Sequence, residues 1–234
     1  MERKVPFVET NYYHLYARGV EKRQIFMSEA DNKRFLLLLL ACNRKKPVRI
    51  DNLLRKSEQG EPLLRVSDGE SLVDLLVFAL MPNHFHLVVR EKAAGGTSRF
   101  MLKLMTAYSM FFNTKYERSG PLFTRPFRSQ HVENDDYFRW LWAYIHLNPL
   151  ALQFTDWEQV GIENIDNASR FLSSYKYSSL LDYAGAERPE SRILSKGSLP
   201  ADISSLHSAD ALMKILLDFN KSGITIPGSL TTLL

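Results

Sequence analysis

Residues 71–90 read SLVDLLVFALM, then Pro82-Asn83, then HFHLVVR. Two apolar runs of strand length separated by a proline-containing turn predict neighbouring strands with a tight connection. Upstream, NYYHLYARG (11–19) is rich in tyrosine and ends at a glycine, which predicts a first strand. A helix is expected to open at Ser28 or Asp31, run through FLLLLLACNRKK and stop at Pro47. Downstream, Gly95-Gly96 precede an expected N-cap at Thr97 or Ser98. There Phe100, Leu104, Ala107, Tyr108 and Phe111 recur at helical spacing until Gly120-Pro121. FRSQHVEN (127–134) predicts another strand, and DDYFRWLWAYIHLNP (135–149) a helix closed by Pro149.

The order strand, helix, strand, strand, helix, strand matches the ferredoxin-like βαββαβ plan, an α+β fold, with one further helix at its C-terminal end. Residues 44–71 are polar, carry Gly60, Pro62 and Gly69, and hold no sustained period. They are expected to form an excursion, with a hairpin as its candidate shape. Beyond residue 150 come FLSSYKYSSLLDYAG and the amphipathic ADALMKILLDFN (209–220). The expected organisation is a domain over 1–150 and a helical or irregular extension over 151–234 packed on it.

Composition adds limits. With 234 residues, 45% hydrophobic and 24% charged, the chain can bury a proper core. A net charge of +4 permits a nucleic-acid partner without demanding one. The charge is unevenly spread: from Arg90 to Arg128 eight basic residues stand against Glu91 and Glu117. Cys42 is the only cysteine, so an intrachain disulfide and a cysteine-rich zinc site are both excluded. MERKVPFVET lacks a signal-peptide core and FLLLLLA (35–41) is too short to span a bilayer. A cytoplasmic location with no membrane partner is expected.

The chemistry lies in HFH. Residues two apart on a strand share a face, so His84 and His86 point together while Phe85 points away. Two imidazoles side by side make half of a metal site, or simply a solvated face of a sheet. In the 135–149 helix Tyr144 and Asn148 are one turn apart and share a face, offering a hydroxyl nucleophile beside a carboxamide ligand. Core packing for Tyr144 and end-capping for Asn148 are the plainer alternatives. Tyr137 roughly shares the face of Tyr144 but has Leu141, not a ligand, one turn on, and Tyr108 belongs to an apolar stripe. His146 is turned about 200° from Tyr144 around the helix. His14, His131 and His207 stand alone in sequence.

MPNHFH, FFNTKYERSGPLFTRPFRS and YIHLNP together resemble the IS200-like single-tyrosine transposases, in particular the branch associated with repetitive extragenic palindromes. These are His-hydrophobe-His (HUH) endonucleases. ARGVEKRQIF and the YKYSS tract extend the resemblance to about residues 10–183. It implies that His84, His86 and Asn148 are ligands of a divalent metal, Mg²⁺ or Mn²⁺, and that Tyr144 is the nucleophile. It further implies a single-strand DNA endonuclease and strand transferase acting on hairpin-forming repeats through a 5′-phosphotyrosine link, and a monomer in preference to the dimer of insertion-sequence members. Arg18, Lys103, Lys115, Arg118, Arg125 and Arg128 are the expected DNA contacts, with Phe123 and Phe127 set for base stacking or for the core. Two other functions compete: a non-catalytic nucleic-acid-binding module on the same type of sheet, and a metal-dependent hydrolase that uses water in place of the tyrosine.

Overall fold

The Pro82-Asn83 turn joins β2 (Val73–Met81) to β3 (His84–Glu91) in a computed structural model describing residues 6–55, 61–124, 127–154, 157, 164–200, 203 and 206–221. With β1 (Tyr12–Arg18) and β4 (Arg128–Val132) they form a four-stranded antiparallel sheet in the order β2-β3-β1-β4. That order, with helices after β1 and β3, is the ferredoxin-like arrangement.

Strand alternation sorts the two layers. Phe85, Leu87 and Val89 of β3, with Leu15 and Ala17 of β1, face α1 (Glu29–Cys42) and α3 (Gly96–Lys115). Tyr16 and Val88 face the other way, onto α4 (Asp135–Leu147). Because β2 and β3 lie between two helical layers, both faces are buried, and their sequences read as apolar runs without alternation.

Local signals act as expected, with adjustments. Ser28 is the N-cap of α1, and the Asp31 carboxylate accepts from the Ser28 backbone N–H at 2.9 Å. The helix α3 starts at Gly96, ahead of the expected caps. Gly95 supplies the left-handed turn (φ +78°), and the Glu91 carboxylate accepts from Thr97 N–H at 2.8 Å, so the cap comes from the end of β3. The ends of the 44–71 excursion meet in an isolated antiparallel bridge, Arg44 to Ser71, but between them the described residues are helical or irregular and form no two-stranded hairpin. The excursion holds α2 (Ile50–Arg55) and a 3₁₀ turn at Pro62–Arg65. Ile50, Leu53 and Leu54 recur at helical spacing and pack against the α1–α3 core, which decides the conformation.

The extension shields the sheet. The backbone of Leu80 donates to Tyr177 O and Ser179 donates to Phe78 O, both at 2.9 Å, so the YKYSS tract lies along the outer edge of β2. Ser195 N–H reaches Leu75 O at 2.8 Å and the Tyr183 hydroxyl reaches Leu76 O at 2.6 Å. Leu172, Leu180 and Leu212, from α5 (Ile165–Ser174), α6 (Leu180–Tyr183) and α7 (Ala209–Lys221), share one apolar cluster with α4.

His146 ties that layer together. It is fully buried, its Nε2 lies 2.9 Å from Ser179 Oγ, and burial pushes its pKa down to about 3. The folded chain therefore keeps His146 neutral while the unfolded chain protonates it below its ordinary 6.5. Stability present above that value is lost as pH falls towards the folded value, at about 1.4 kcal/mol per pH unit. Denaturation free energies measured between about pH 6.5 and 4 should contain this slope together with those of His14, His84 and His86, which burial depresses as well. His146→Phe should make the profile shallower by one proton's worth, and an unchanged slope would refute the assignment.

Candidate active site

His84 and His86 come together on the α4 face because β3 is regular there, with ring centroids 4.9 Å apart and planes nearly perpendicular. His84 Nδ1 is 2.6 Å from Asn83 Oδ1, so the amide oxygen accepts the Nδ1 proton and leaves Nε2 as the lone-pair nitrogen. His86 Nδ1 is 2.9 Å from His14 Nε2 on β1. His86 Nε2 is buried without a hydrogen-bond partner.

The helix α4 delivers the rest. Tyr144 meets His86 edge-on, with ring centroids 5.8 Å apart. One turn later Asn148 N–H bonds back to Tyr144 O, and its side chain stands within hydrogen-bonding reach of His84. Asn148 Oδ1 is also buried without a partner. Two buried polar atoms without partners are costly in a core, and a cation would satisfy them if each presents a lone pair. The donor set, two imidazole nitrogens and an amide oxygen, fits Mg²⁺ or Mn²⁺. Among the described residues no three His, Cys, Asp or Glu side chains are grouped to hold a metal, and the further donor beside His84 is the Asn148 amide.

Burial sets the protonation states. It pushes His84 down to about 4, helped by the nearby Arg18 charge and opposed by Asn148. It holds His86 well below the ordinary range, with the neighbouring histidines adding to the effect. Both are therefore neutral at ordinary pH, the form in which an imidazole can bind a metal.

An aromatic stack supports the tyrosine. Trp140 lies nearly parallel to Tyr144 (12°) at 5.0 Å, and Tyr137 lies parallel to Trp140 at 5.8 Å. The Tyr137 hydroxyl is buried without a partner, and desolvation raises its pKa above the ordinary tyrosine value. His146 faces Ser179, away from the pair, as its helical angle predicts.

The basic residues divide. Arg18 pairs in register with His84, and Arg128 with Tyr16, so both lie on the face of the histidines. Arg18 Nε is buried without a partner, while Arg128 is exposed. Lys103 donates to Arg44 O and Lys115 pairs with Asp31, both at 2.6 Å, in the α1–α3 layer across the sheet. Arg118 donates to Asn113 Oδ1 at 2.8 Å just beyond α3. Arg125 lies outside the described residues. Phe123 is buried in the core and Phe127 stacks on Phe7, so neither is presented to a base.

Sequence reasoning missed His14, Asn83 and Trp140. Asn83 was legible as the neighbour of His84, and Trp140 as the residue one turn before Tyr144. His14 needed the β1–β3 register, which no local pattern carries.

No curated protein matches the chain. A solved structure described as the REP associates tyrosine transposase bound to a REP hairpin is similar at 11% identity, covering 81% of this chain and 90% of that one with a TM-score of 0.48. The family model for "Transposase IS200 like" matches residues 7–148, a span that runs from just before β1 to Asn148 and takes in every residue of the buried constellation. The chain therefore belongs to the IS200-like transposase family.

Proposed function

We propose that the chain is a metal-dependent single-strand DNA endonuclease and strand transferase that acts on hairpin-forming repeat DNA through Tyr144. The observation that carries this reading is the pair of buried, unpartnered ligand atoms, His86 Nε2 and Asn148 Oδ1, beside the Tyr144 ring. A non-catalytic binding module has no use for them.

The tyrosine hydroxyl attacks the scissile phosphorus, forming a P–O bond to Tyr144 and breaking the bond to the 3′ oxygen. The phenol proton goes to solvent, and the departing oxygen takes a proton from solvent and leaves as a free 3′-hydroxyl. The 5′-phosphotyrosine keeps the energy of the broken bond, so a 3′-hydroxyl can later attack it and rejoin strands. His84, His86 and Asn148 would hold a divalent ion, which supplies Lewis-acid neutralisation of phosphate charge. Trp140 fixes the plane of the nucleophile's ring, and neutral His84 and His86 each keep one nitrogen lone pair that a cation can use. All four groups come from one chain, which favours a site complete in a monomer.

The test is incubation with labelled single-stranded hairpin oligonucleotides and Mn²⁺. A covalent protein–DNA band on a denaturing gel is expected, and it should vanish with chelator. Cleavage without an adduct would mean water as the nucleophile, and binding alone would mean a recognition module.

Arg18 and Arg128 serve as the phosphate contacts on this face. Replacing either with Ala should weaken hairpin binding and lower the log–log salt slope by about 0.7. Lys103→Ala should leave the slope in place, since its ammonium is committed to Arg44 O across the sheet. Equal slope changes for Lys103 and Arg128 would move the DNA path to the other layer.

A further inference from the structure

The fully buried histidine of β1, His14, has no part in the chemistry described so far. It is two residues from Tyr16, the cross-strand partner of His86, and so reaches His86 diagonally on the same face of the sheet. The two rings are nearly parallel (13°), with His14 Nε2 2.9 Å from His86 Nδ1. Both side chains have no exposed surface.

A nitrogen-to-nitrogen contact of this length between neutral imidazoles holds one proton, and the two arrangements differ in consequence. If His14 donates, the proton of His86 sits on Nε2, the buried and unpartnered nitrogen of the ring that meets Tyr144 edge-on, and blocks its lone pair. If His86 donates from Nδ1, Nε2 presents its lone pair to the site, and the His14 proton moves to its own Nδ1. That second arrangement is the one a ligand requires. Asn83 does the same for His84, with an amide oxygen accepting from Nδ1. The pair of ligands is thus backed by a pair of neutral acceptors. A neutral acceptor, unlike a carboxylate, leaves a ligating imidazole only moderately basic, which suits an ion that must exchange.

We propose that His14 is a positioning residue that accepts the Nδ1 proton of His86 and so holds His86 in the tautomer whose Nε2 is open to a divalent ion. The inference rests on the metal-site reading above, and the experiment separates the two. Mn²⁺ affinity is measured on the full chain without DNA, by electron paramagnetic resonance of the free ion, for the wild type, His14→Phe and His14→Gln. The phenylalanine keeps ring volume and removes the acceptor; the glutamine amide can present an oxygen near the place of Nε2. His14→Phe should bind Mn²⁺ roughly 10–100-fold more weakly, and His14→Gln should recover most of that loss. Equal affinity of wild type and His14→Phe overturns the inference while leaving the metal site intact. Absence of Mn²⁺ binding by the wild type overturns the metal site itself, and the inference with it. Should His14→Phe fail to fold, the wild type alone decides. Histidine nitrogen NMR of the metal-free chain should show the His86 proton on Nδ1, and finding it on Nε2 overturns the inference.

Discussion

Tyr144→Phe should abolish the covalent DNA adduct while hairpin binding stays nearly unchanged. The substitution removes a single oxygen. The ring keeps its parallel stack on Trp140 and its edge contact with His86, so the α4 face retains its shape. A change this small in a packed aromatic site, about 1 kcal/mol, should shift the melting temperature by no more than about 2–4 °C. Binding depends on phosphate contacts and on the sheet face, which the variant leaves alone. The adduct depends on the hydroxyl alone. The measurement pairs a denaturing gel for the adduct with a native binding titration on the same hairpin. Full adduct formation would sink the assignment and direct attention to Tyr137 or Tyr108. Neither of those is a good nucleophile, since desolvation holds both hydroxyls well above the ordinary range. That of Tyr108 is also spent on Ile25 O in the opposite layer. Loss of binding together with the adduct would mean that the tyrosine contacts DNA before it reacts.

How this site could be read ahead of the structure follows from the range of its interactions. Strand alternation put His84 and His86 on one face, and helical spacing put Asn148 one turn from Tyr144; both are local rules that survive packing. The βαββαβ order was legible because β2 and β3 are dense apolar runs and Pro82-Asn83 separates them. That the two halves meet was implied by the resemblance, since no periodicity states which sheet face a distant helix covers. The same limit hid His14, a lone histidine until register placed it against His86. It also blurred the basic segment: Lys103 and Arg128 look equivalent along the chain, yet they end on opposite sides of the sheet. The hairpin expected at 44–71 is not formed by the described residues because Pro62 opens a 3₁₀ turn and Ile50, Leu53 and Leu54 set a helical spacing.

His86→Ala should eliminate metal-dependent cleavage, and His84→Ala should do the same, while Asn148→Ala should leave activity that high Mn²⁺ partly restores. The ranking comes from what replaces each group. Losing an imidazole leaves a labile ion with too few protein ligands, whereas water can take the place of a neutral amide oxygen. A pH experiment probes the same ligands without mutation. Protons compete with the ion for imidazole lone pairs, so affinity falls once pH drops below the ligands' own pKa. Two histidines at the ordinary value would cost about 100-fold in affinity between about pH 7.5 and 5.5, since each would be roughly nine-tenths protonated at the lower end. Here burial has pushed His84 down to about 4 and holds His86 well below the ordinary range. Both therefore remain neutral across that interval, and Mn²⁺ affinity should change by less than about twofold. Arg18 is the second contributor to the His84 shift, so Arg18→Ala should make the affinity more sensitive to acid, in the direction of the ordinary histidine. Mn²⁺ titrations at the two pH values, with circular dichroism confirming that the chain is folded at both, decide the matter. A 100-fold drop in the wild type would show that the ligands are histidines open to solvent, and the buried pair on β3 would then not be the site.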